Sequence, residues 1–488
     1  THYRTFESYA LDFVASELLG ERKEIAKTGS EKVREINRQF HHDKAALASY
    51  NLHDARLVRK IFDHASILPN AIERTRCSGQ LLDRIGGSVA SFDYLYLPRL
   101  HRRGFVARNV ADIAAPGAPL IGGHVMQSTP GIYENVLVLD FKSLYPSIIM
   151  TFKIDPLGQI VGGPSVQGPA GPPFSTKESI LPPIIADLMQ ARGRAKRNEN
   201  AALSQAIKIL MNSFYGVMGS TGCRFFSPEL AQTITGIGQY VLKTARAQIE
   251  RTTSWRIIYG DTDSLFVLLG PGHEAEAVQI GESIASSITA WLADHIAQRY
   301  SAESALELEF ETHFRYFFMP SLRGQTLGSK KRYCGAIAEG DRLRLSFKGM
   351  ESARSDWTDL AKEFQHELHM RVFTGQPVQE YIVRLVAAMR AGTFDDKLVY
   401  RKGVRKSLDA YTVHVPPHIQ AARMLDAAPS RVAYVITTQG PQPLGKISAP
   451  LDYEHYLEAQ LRPVADAILE WIDLDFDSIV SGQMDLFG

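Results

Sequence analysis

Cysteine is scarce in this chain. Its 488 residues hold three, Cys77, Cys223 and Cys334, far apart and without CxxC spacing. That excludes a disulfide framework and a cysteine-based zinc site, and it fits reduced thiols in a cytosolic protein. No apolar run approaches the roughly 18 residues of a membrane-spanning helix, so no membrane partner is expected. The start does not read as a secretory leader. Internal repeats and low-complexity tracts are also missing. Charge of one sign is not in excess: the formal net charge is +1, which by itself identifies no partner. With 45% hydrophobic and 22% charged residues, the composition is that of a folded chain large enough for two to four domains. The first residue is Thr and the sequence opens directly into helix-like text, which fits a piece or processed product of a longer protein.

Residues 1–75 read as helices, with an apolar stripe from Phe6 to Leu19 and a second helical stretch from Leu47 to Leu68. Gly79 and Gly86-Gly87 punctuate a further helix that runs to about Leu100. Loop-rich text at 104–131 leads into the strand Val136–Leu139, and a Gly/Pro-rich loop spans roughly 158–183. A helical hairpin is expected next, with arms Ile184–Arg197 and Ala201–Tyr215 around the turn Asn198–Asn200. Further helices are expected at about 228–250 and 274–300, and strands near 306–319 and 330–348. The last 130 residues look mainly helical.

Three aspartates follow apolar, β-branched runs: Asp140 in LDFKSLYPSII, and Asp261 and Asp263 in IIYGDTDSLFV. Carboxylates held close together and partly dehydrated repel one another, an arrangement normally kept only when cations neutralise it. Oxygen-only ligands point to two Mg²⁺ ions rather than zinc, and such a cage serves in-line displacement at phosphorus. Asp261 and Asp263 share a face if the strand is continuous. They project together from the tip if Gly260–Thr262 is a hairpin turn. On the 201–215 arm, Lys208, Asn212 and Tyr215 share one face, while Ile207, Leu210, Met211 and Phe214 cover the apolar side. Arg192 and Lys196 stand one turn apart on the other arm. Fixed cations on facing helices suit a triphosphate, whose charge needs compensation in the transition state. Arg194 and Arg197 read as solvated.

The strings D-F-K-S-L-Y-P-S-I-I at 140–149, K-I-L-M-N-S-F-Y-G at 208–216 and Y-G-D-T-D-S at 259–264 resemble motifs A, B and C of family B DNA polymerases, in the family's order. The wider text is closest to that family's bacterial polymerase II branch, over essentially the whole chain. The resemblance implies a right-hand α/β (α+β) fold, with an antiparallel-sheet palm, helical-hairpin fingers and a mainly helical thumb. It divides the chain into a remnant of a 3′–5′ exonuclease domain (1–75), palm (76–183 and 217–347), fingers (184–216) and thumb (348–488). It implies addition of deoxynucleotides to the 3′ end of primer–template DNA, in repair and damage-tolerant replication, in the cytoplasm near the bacterial nucleoid. A polymerase fold kept only for binding DNA is the alternative.

Carried over by position, Asp140 and Asp263 resemble the metal ligands, the Phe141 backbone carbonyl joins them, and Asp261 resembles the third carboxylate. Backbone N–H groups of Ser143–Leu144–Tyr145 would hold triphosphate oxygens, and Tyr145 would bar a ribose 2′-hydroxyl. Arg192, Lys196, Lys208, Asn212 and Tyr215 would meet the deoxynucleoside triphosphate. Lys330, Lys331, Arg332 and Tyr333 resemble the family's KKRY element at the primer–template. Lys348–Glu351 resembles its palm–thumb junction, and Arg401 and Lys402, with Arg405 and Lys406, add cations suited to DNA phosphates. Tyr50 and Asp54 fit the family exonuclease's Y-x₃-D pattern, but its other carboxylate motifs are not found, so proofreading is expected to be incomplete in this chain. Gly122-Gly123 resembles the link between editing and synthesis regions. The final Gln483, Leu486 and Phe487 resemble the peptide that bacterial polymerases insert into the sliding clamp.

Overall fold

The computed structural model describes all residues except 1–5, 7–8, 26–28, 85–86, 114–124, 322–327, 355, 413–414, 427–428 and 483–488, and the side chains of 29–31. Gly122-Gly123 and the clamp-like tail Gln483–Phe487 therefore lie outside the described residues. The chain divides into two compact units. One takes Thr1–Gly123, Lys142–Val241 and Ala290–Glu307, and the other takes His124–Phe141, Leu242–Thr289 and Leu308–Gly488.

The first unit is mostly helical. α1 (Leu11–Leu19), α2 (Gly29–His42), α3 (Lys44–His64) and α4 (Ile67–Ser78) occupy the stretch read as helices. Ala15, Leu57 and Ile61 form a small core between α1 and α3. α5 (Ser88–His101) starts after Gly87, and α6 (Leu144–Thr151) and α7 (Pro156–Ile160) come next. The expected hairpin is present as α8 (Leu181–Arg197) and α9 (Ala201–Met218). The Asn200 side chain caps α9 by accepting the Leu203 N–H at 2.9 Å. α8 begins three residues before the expected Ile184, through Pro182 and Pro183. Proline is tolerated in a helix's first turn, where its missing N–H would have had no helical acceptor. α10 (Pro228–Thr252) and α11 (Ala277–Tyr300) each contribute residues to both units.

Eleven strands occur among the described residues: β1 (Gly131–Phe141), β2 (Ser165–Val166), β3 (Phe174–Ser175), β4 (Arg256–Asp261), β5 (Ser264–Leu268), β6 (Leu308–Met319), β7 (Tyr333–Glu339), β8 (Arg342–Lys348), β9 (Tyr400–Gly403), β10 (Arg431–Thr437) and β11 (Gly440–Pro443). The second unit is built on a six-stranded antiparallel sheet in the order β4-β5-β1-β6-β7-β8. β1 lies inside it with Val136–Leu139 buried on both faces, which explains the unbroken apolar run. Val136, Val138, Ile258, Tyr259, Phe266, Phe314, Phe317 and Met319 make one core on this sheet.

A larger core gathers Phe318, Cys334 and Met350 with helices of the last 130 residues, α12 (Asp359–Thr374) and α13 (Gln379–Arg390) among them. That stretch also holds the sheet β11-β10-β9, so it is less purely helical than expected. The run Arg431–Thr437 carries the β-branched signal, but helices on either side mask so short a strand. The Gly/Pro-rich loop at 158–183 likewise contains part of α7 and the paired β2 and β3.

His369, on α12, is fully buried among Phe318, Phe347 and Phe373. Its Nδ1 lies 2.7 Å from the Gln365 carbonyl oxygen, and its Nε2 meets no partner among the described residues. Burial pushes its pKa down to about 4, with the nearby His366 acting in the same direction. An unfolded histidine titrates near 6.5, so between pH 6.5 and 4 the unfolded chain binds more protons. Stability is therefore lost as pH falls through that window, by about 2 kcal/mol at pH 5. Denaturant unfolding at pH 7.5 and pH 5 should show a smaller acid loss for His369→Phe than for the parent. Equal losses would refute this assignment.

Candidate active site

β1 and β5 pair with Asp140 opposite Ser264, and β4 and β5 pair with Asp261 opposite Ser264. The hairpin turn is thus Thr262-Asp263, one step later than Gly260–Thr262, and the strand is not continuous. Thr262 takes a left-handed backbone conformation (φ 57°) to close it. Phe141 N–H donates to the Asp263 carbonyl at 2.9 Å, tying the end of β1 to the turn. The Ser264 hydroxyl donates to Asp140 at 2.8 Å.

The glycine of Y-G-D-T-D is fixed by contact. A Cβ at Gly260 would stand 2.4 Å from Met126 Sδ. Met126 N–H donates to the Gly260 carbonyl, and Thr129 N–H to that of Ile258, so residues 126–129 cover the outer edge of β4.

Burial is the largest influence on Asp140, whose carboxyl is pushed up to about 7. The charge of Asp263 adds to this, as do those of Glu311 and Glu309, while the Ser264 hydroxyl opposes it. Asp263 is raised by burial first, then by Asp261 and Glu311. Glu311 is the extra residue where the β1–β6 register slips between Val138 and Leu139. Such bulges re-aim side chains beside functional sites.

Among the described residues no three His, Cys, Asp or Glu side chains converge as a preformed metal cage. Asp263 feels the charges of both other aspartates, raising Asp140 and being raised by Asp261, while Asp261 also has a cation of its own. One Asp261 oxygen accepts the Thr262 hydroxyl at 3.0 Å and lies 3.3 Å from Lys331 Nζ. Two carboxylates are a donor set that suits Mg²⁺, which seldom takes an all-protein shell.

The KKRY residues lie in the same unit. Lys331 N–H donates to the Tyr259 hydroxyl at 3.0 Å, and Arg332 pairs with Glu351. Tyr333 packs on Phe266, Phe314 and Phe317, and Lys330 is exposed. Gly349 sits at φ 61°, where a Cβ would lie 2.2 Å from the Lys331 carbonyl oxygen. Farther along, Arg401 pairs with Asp359 at 3.1 Å, while Lys402, Arg405 and Lys406 are exposed.

The first unit carries a cleft of about 570 Å³. Its cations are Lys142, Arg192, Arg194, Lys196 and Arg197, set against the single carboxylate Glu307. Arg194 and Arg197, read as solvated, are exposed, and they also border this cleft with Arg192 and Lys196 at the end of α8. Lys142 ion-pairs with Glu307 at 2.9 Å. Lys142 belongs to motif A and was open to detection; Glu307 had no local signal. Lys208 and Asn212 are exposed on α9 and do not line the cleft, whereas Met211 does. Ser143 also lines it, in a left-handed conformation (φ 49°) at the N-terminus of α6, the positive end of that helix. Tyr145 lies 4.6 Å from Tyr215 between ring centroids, and a Cβ at Gly238 would come within 3.4 Å of its ring.

Tyr50 is buried on α3, under the ammonium groups of Lys23 and Lys32 at 5.4 and 5.8 Å. Asp54 forms an ion pair with Lys23. The cation beside this carboxylate is thus a lysine.

A sequence model of DNA polymerase family B matches residues 82–157 and 166–472. The chain is 47% identical over 501 residues to DNA polymerase II of Escherichia coli (strain K12), covering 99% of this chain and 63% of that protein. It is 27% identical over 504 residues to a DNA polymerase of Desulfurococcus sp. (strain Tok), covering 95% and 61%. A solved family B DNA polymerase from Pyrobaculum calidifontis has a similar fold, with TM-score 0.63 and 24% identity over 97% of this chain and 62% of that one. The chain thus spans about three fifths of the length of these relatives. With a sequence model matching most of its length and an antiparallel sheet that brings Asp140 beside Asp263, this chain belongs to DNA polymerase family B.

Proposed function

We propose that this chain performs DNA-templated DNA synthesis, adding deoxynucleotides to a primer 3′ end. The observation that carries this reading is the Asp140–Asp263 pair: burial first, and the Asp263 charge second, push the Asp140 carboxyl up to about 7. Such charge crowding is relieved by divalent cations. Asp140, Asp263 and the Phe141 carbonyl would hold two Mg²⁺ ions, with Asp261 supporting from its contact with Lys331. Bound there, the metal supplies Lewis-acid stabilisation of the attacking and leaving oxygens.

The protein's own groups bind and orient. The five cations of the cleft hold the triphosphate, aided by backbone donors at Ser143–Leu144–Tyr145. Lys208, Asn212 and Tyr215 on α9 contribute from the neighbouring arm. Tyr145, backed by Tyr215, occupies the space of a ribose 2′-hydroxyl. Lys330–Tyr333 and the cations at 401–406 grip the duplex through its phosphates.

In this reading 76–183 and 217–347 are palm, 184–216 fingers, 348–488 thumb and 1–75 an exonuclease remnant. The Lys23–Asp54 ion pair supports a remnant without metal-dependent proofreading. Repair and damage-tolerant replication near the nucleoid, and a sliding clamp bound through Gln483, Leu486 and Phe487, complete the reading. No described helix is long and apolar enough to cross a membrane.

Primer extension with Mg²⁺ tests the centre. Asp140→Asn should lose about a hundred- to a thousandfold in rate with its fold retained. Activity surviving that change, or a parent that binds primer–template but never extends it, would favour a DNA-binding relative without catalysis. For the sugar gate, Tyr145→Ala should raise ribonucleotide incorporation relative to deoxynucleotide by at least about tenfold, since one excluded group is worth ~1–3 kcal/mol; an unchanged ratio would remove that role. Deleting 483–488 should abolish clamp stimulation of processivity while leaving single-nucleotide addition intact. Retained stimulation would remove the clamp contact.

A further inference from the structure

The carboxylate of Asp155 is fully buried and does not line the cleft. Five donors converge on it, one phenol and four backbone N–H groups. One oxygen accepts the Tyr96 hydroxyl at 2.9 Å and the Leu157 and Gly158 N–H groups at 2.8 and 2.9 Å. The other accepts the N–H groups of Ile180 and Leu181 at 2.8 and 2.5 Å. Asp155 thus caps α7, which it precedes directly, and from a distance in sequence it also caps α8. Burial first, and the Asp155 charge second, push the Tyr96 phenol up, so that this group stays a donor.

The second cap matters because of the residues at the start of α8. A helix begins with several N–H groups that lack an intrahelical acceptor. In α8 the second and third residues are Pro182 and Pro183, which have no N–H at all. The donors left at this end are those of Ile180 and Leu181, and both go to one Asp155 oxygen. The apolar Ile180 side chain provides no cap of its own. This carboxylate thus holds the two main-chain donors at the place where α8 starts. Three turns on, the same helix presents Arg192 and Lys196 to the cleft.

We propose that Asp155 is a positioning residue for nucleotide binding: by fixing the start of α8 it aims the Arg192 and Lys196 cations at the triphosphate. This rests on reading the cleft as the triphosphate site. Asp155 touches no substrate; it acts through the helix.

Steady-state primer extension by the full chain, varying the deoxynucleotide and separately the primer–template, tests this. Asp155→Asn puts an NH₂ group among N–H donors and should raise KM for the deoxynucleotide about tenfold, with the primer–template KM within twofold of the parent. Asp155→Ser keeps a cap for α7 but cannot serve α8, so it should raise the deoxynucleotide KM to a similar extent and remains informative if the Asn variant fails to fold. A purely structural role would instead lower the thermal midpoint and the active fraction without moving KM, as expected for Leu57→Ala in the α1–α3 core. Arg192→Ala separates the two readings. If it raises the deoxynucleotide KM while Asp155→Ser leaves it at the parent value, the positioning role is overturned and the cleft assignment stands. If Arg192→Ala itself leaves KM unmoved, the cleft assignment fails and the positioning role fails with it.

Discussion

Repulsion between Asp140 and Asp263 is the constraint on which the second unit turns. Two carboxylates that are partly dehydrated and close together tend to separate or take up a proton, and Asp140 shows this as a pKa near 7. They are held by backbone. The β1–β5 ladder sets Asp140 opposite Ser264, and a Phe141–Asp263 hydrogen bond pins the turn to the end of β1. Packing on the sheet supplies the stability that offsets the electrostatic cost. Val136, Val138, Phe266, Phe314 and Phe317 are buried on it. At order-of-magnitude level each such side chain contributes about 1.5–3 kcal/mol, against roughly 1.4 kcal/mol per unit of raised pKa. A few buried side chains therefore suffice to keep the pair in place.

The same logic, charge held by apolar surroundings, recurs in the first unit with opposite sign. Five cations surround a cleft with Glu307 as their single carboxylate, and the helix that carries most of them is anchored at its far end by the buried carboxylate of Asp155. In both places the long-range order comes from hydrogen bonds to main-chain N–H groups. Those bonds do not depend on the side chains of their donors, so the surrounding residues can vary while the geometry persists.

Much of this was legible in the sequence, because the informative elements are local. Val136–Leu139 is a continuous apolar run and became a strand buried on both faces. Asn198–Asn200 punctuates two periodic arms and became the turn between α8 and α9. What stayed hidden depends on partners distant in sequence. The start of α8 could not be read because the group that caps it lies 25 residues earlier. The cation that meets Asp261, Lys331, lies 70 residues on, in a different strand connection. Glu311 gains its place near the aspartates from a register slip, which leaves no trace in composition. Arg194 and Arg197 are exposed, as their solvated run suggests, and only the fold shows that they also border the cleft.

The contact between Met126 and Gly260 also limits how such a chain can vary over time. The methionine sulfur occupies the volume that any side chain at position 260 would need. A larger residue at 260 requires the Met126 side chain to shift or to be replaced by a smaller one, so the two positions constrain each other. The stretch around 126 bears no motif of its own and would be judged free to drift. Its freedom is instead limited by the most restrictive residue of the Y-G-D-T-D string.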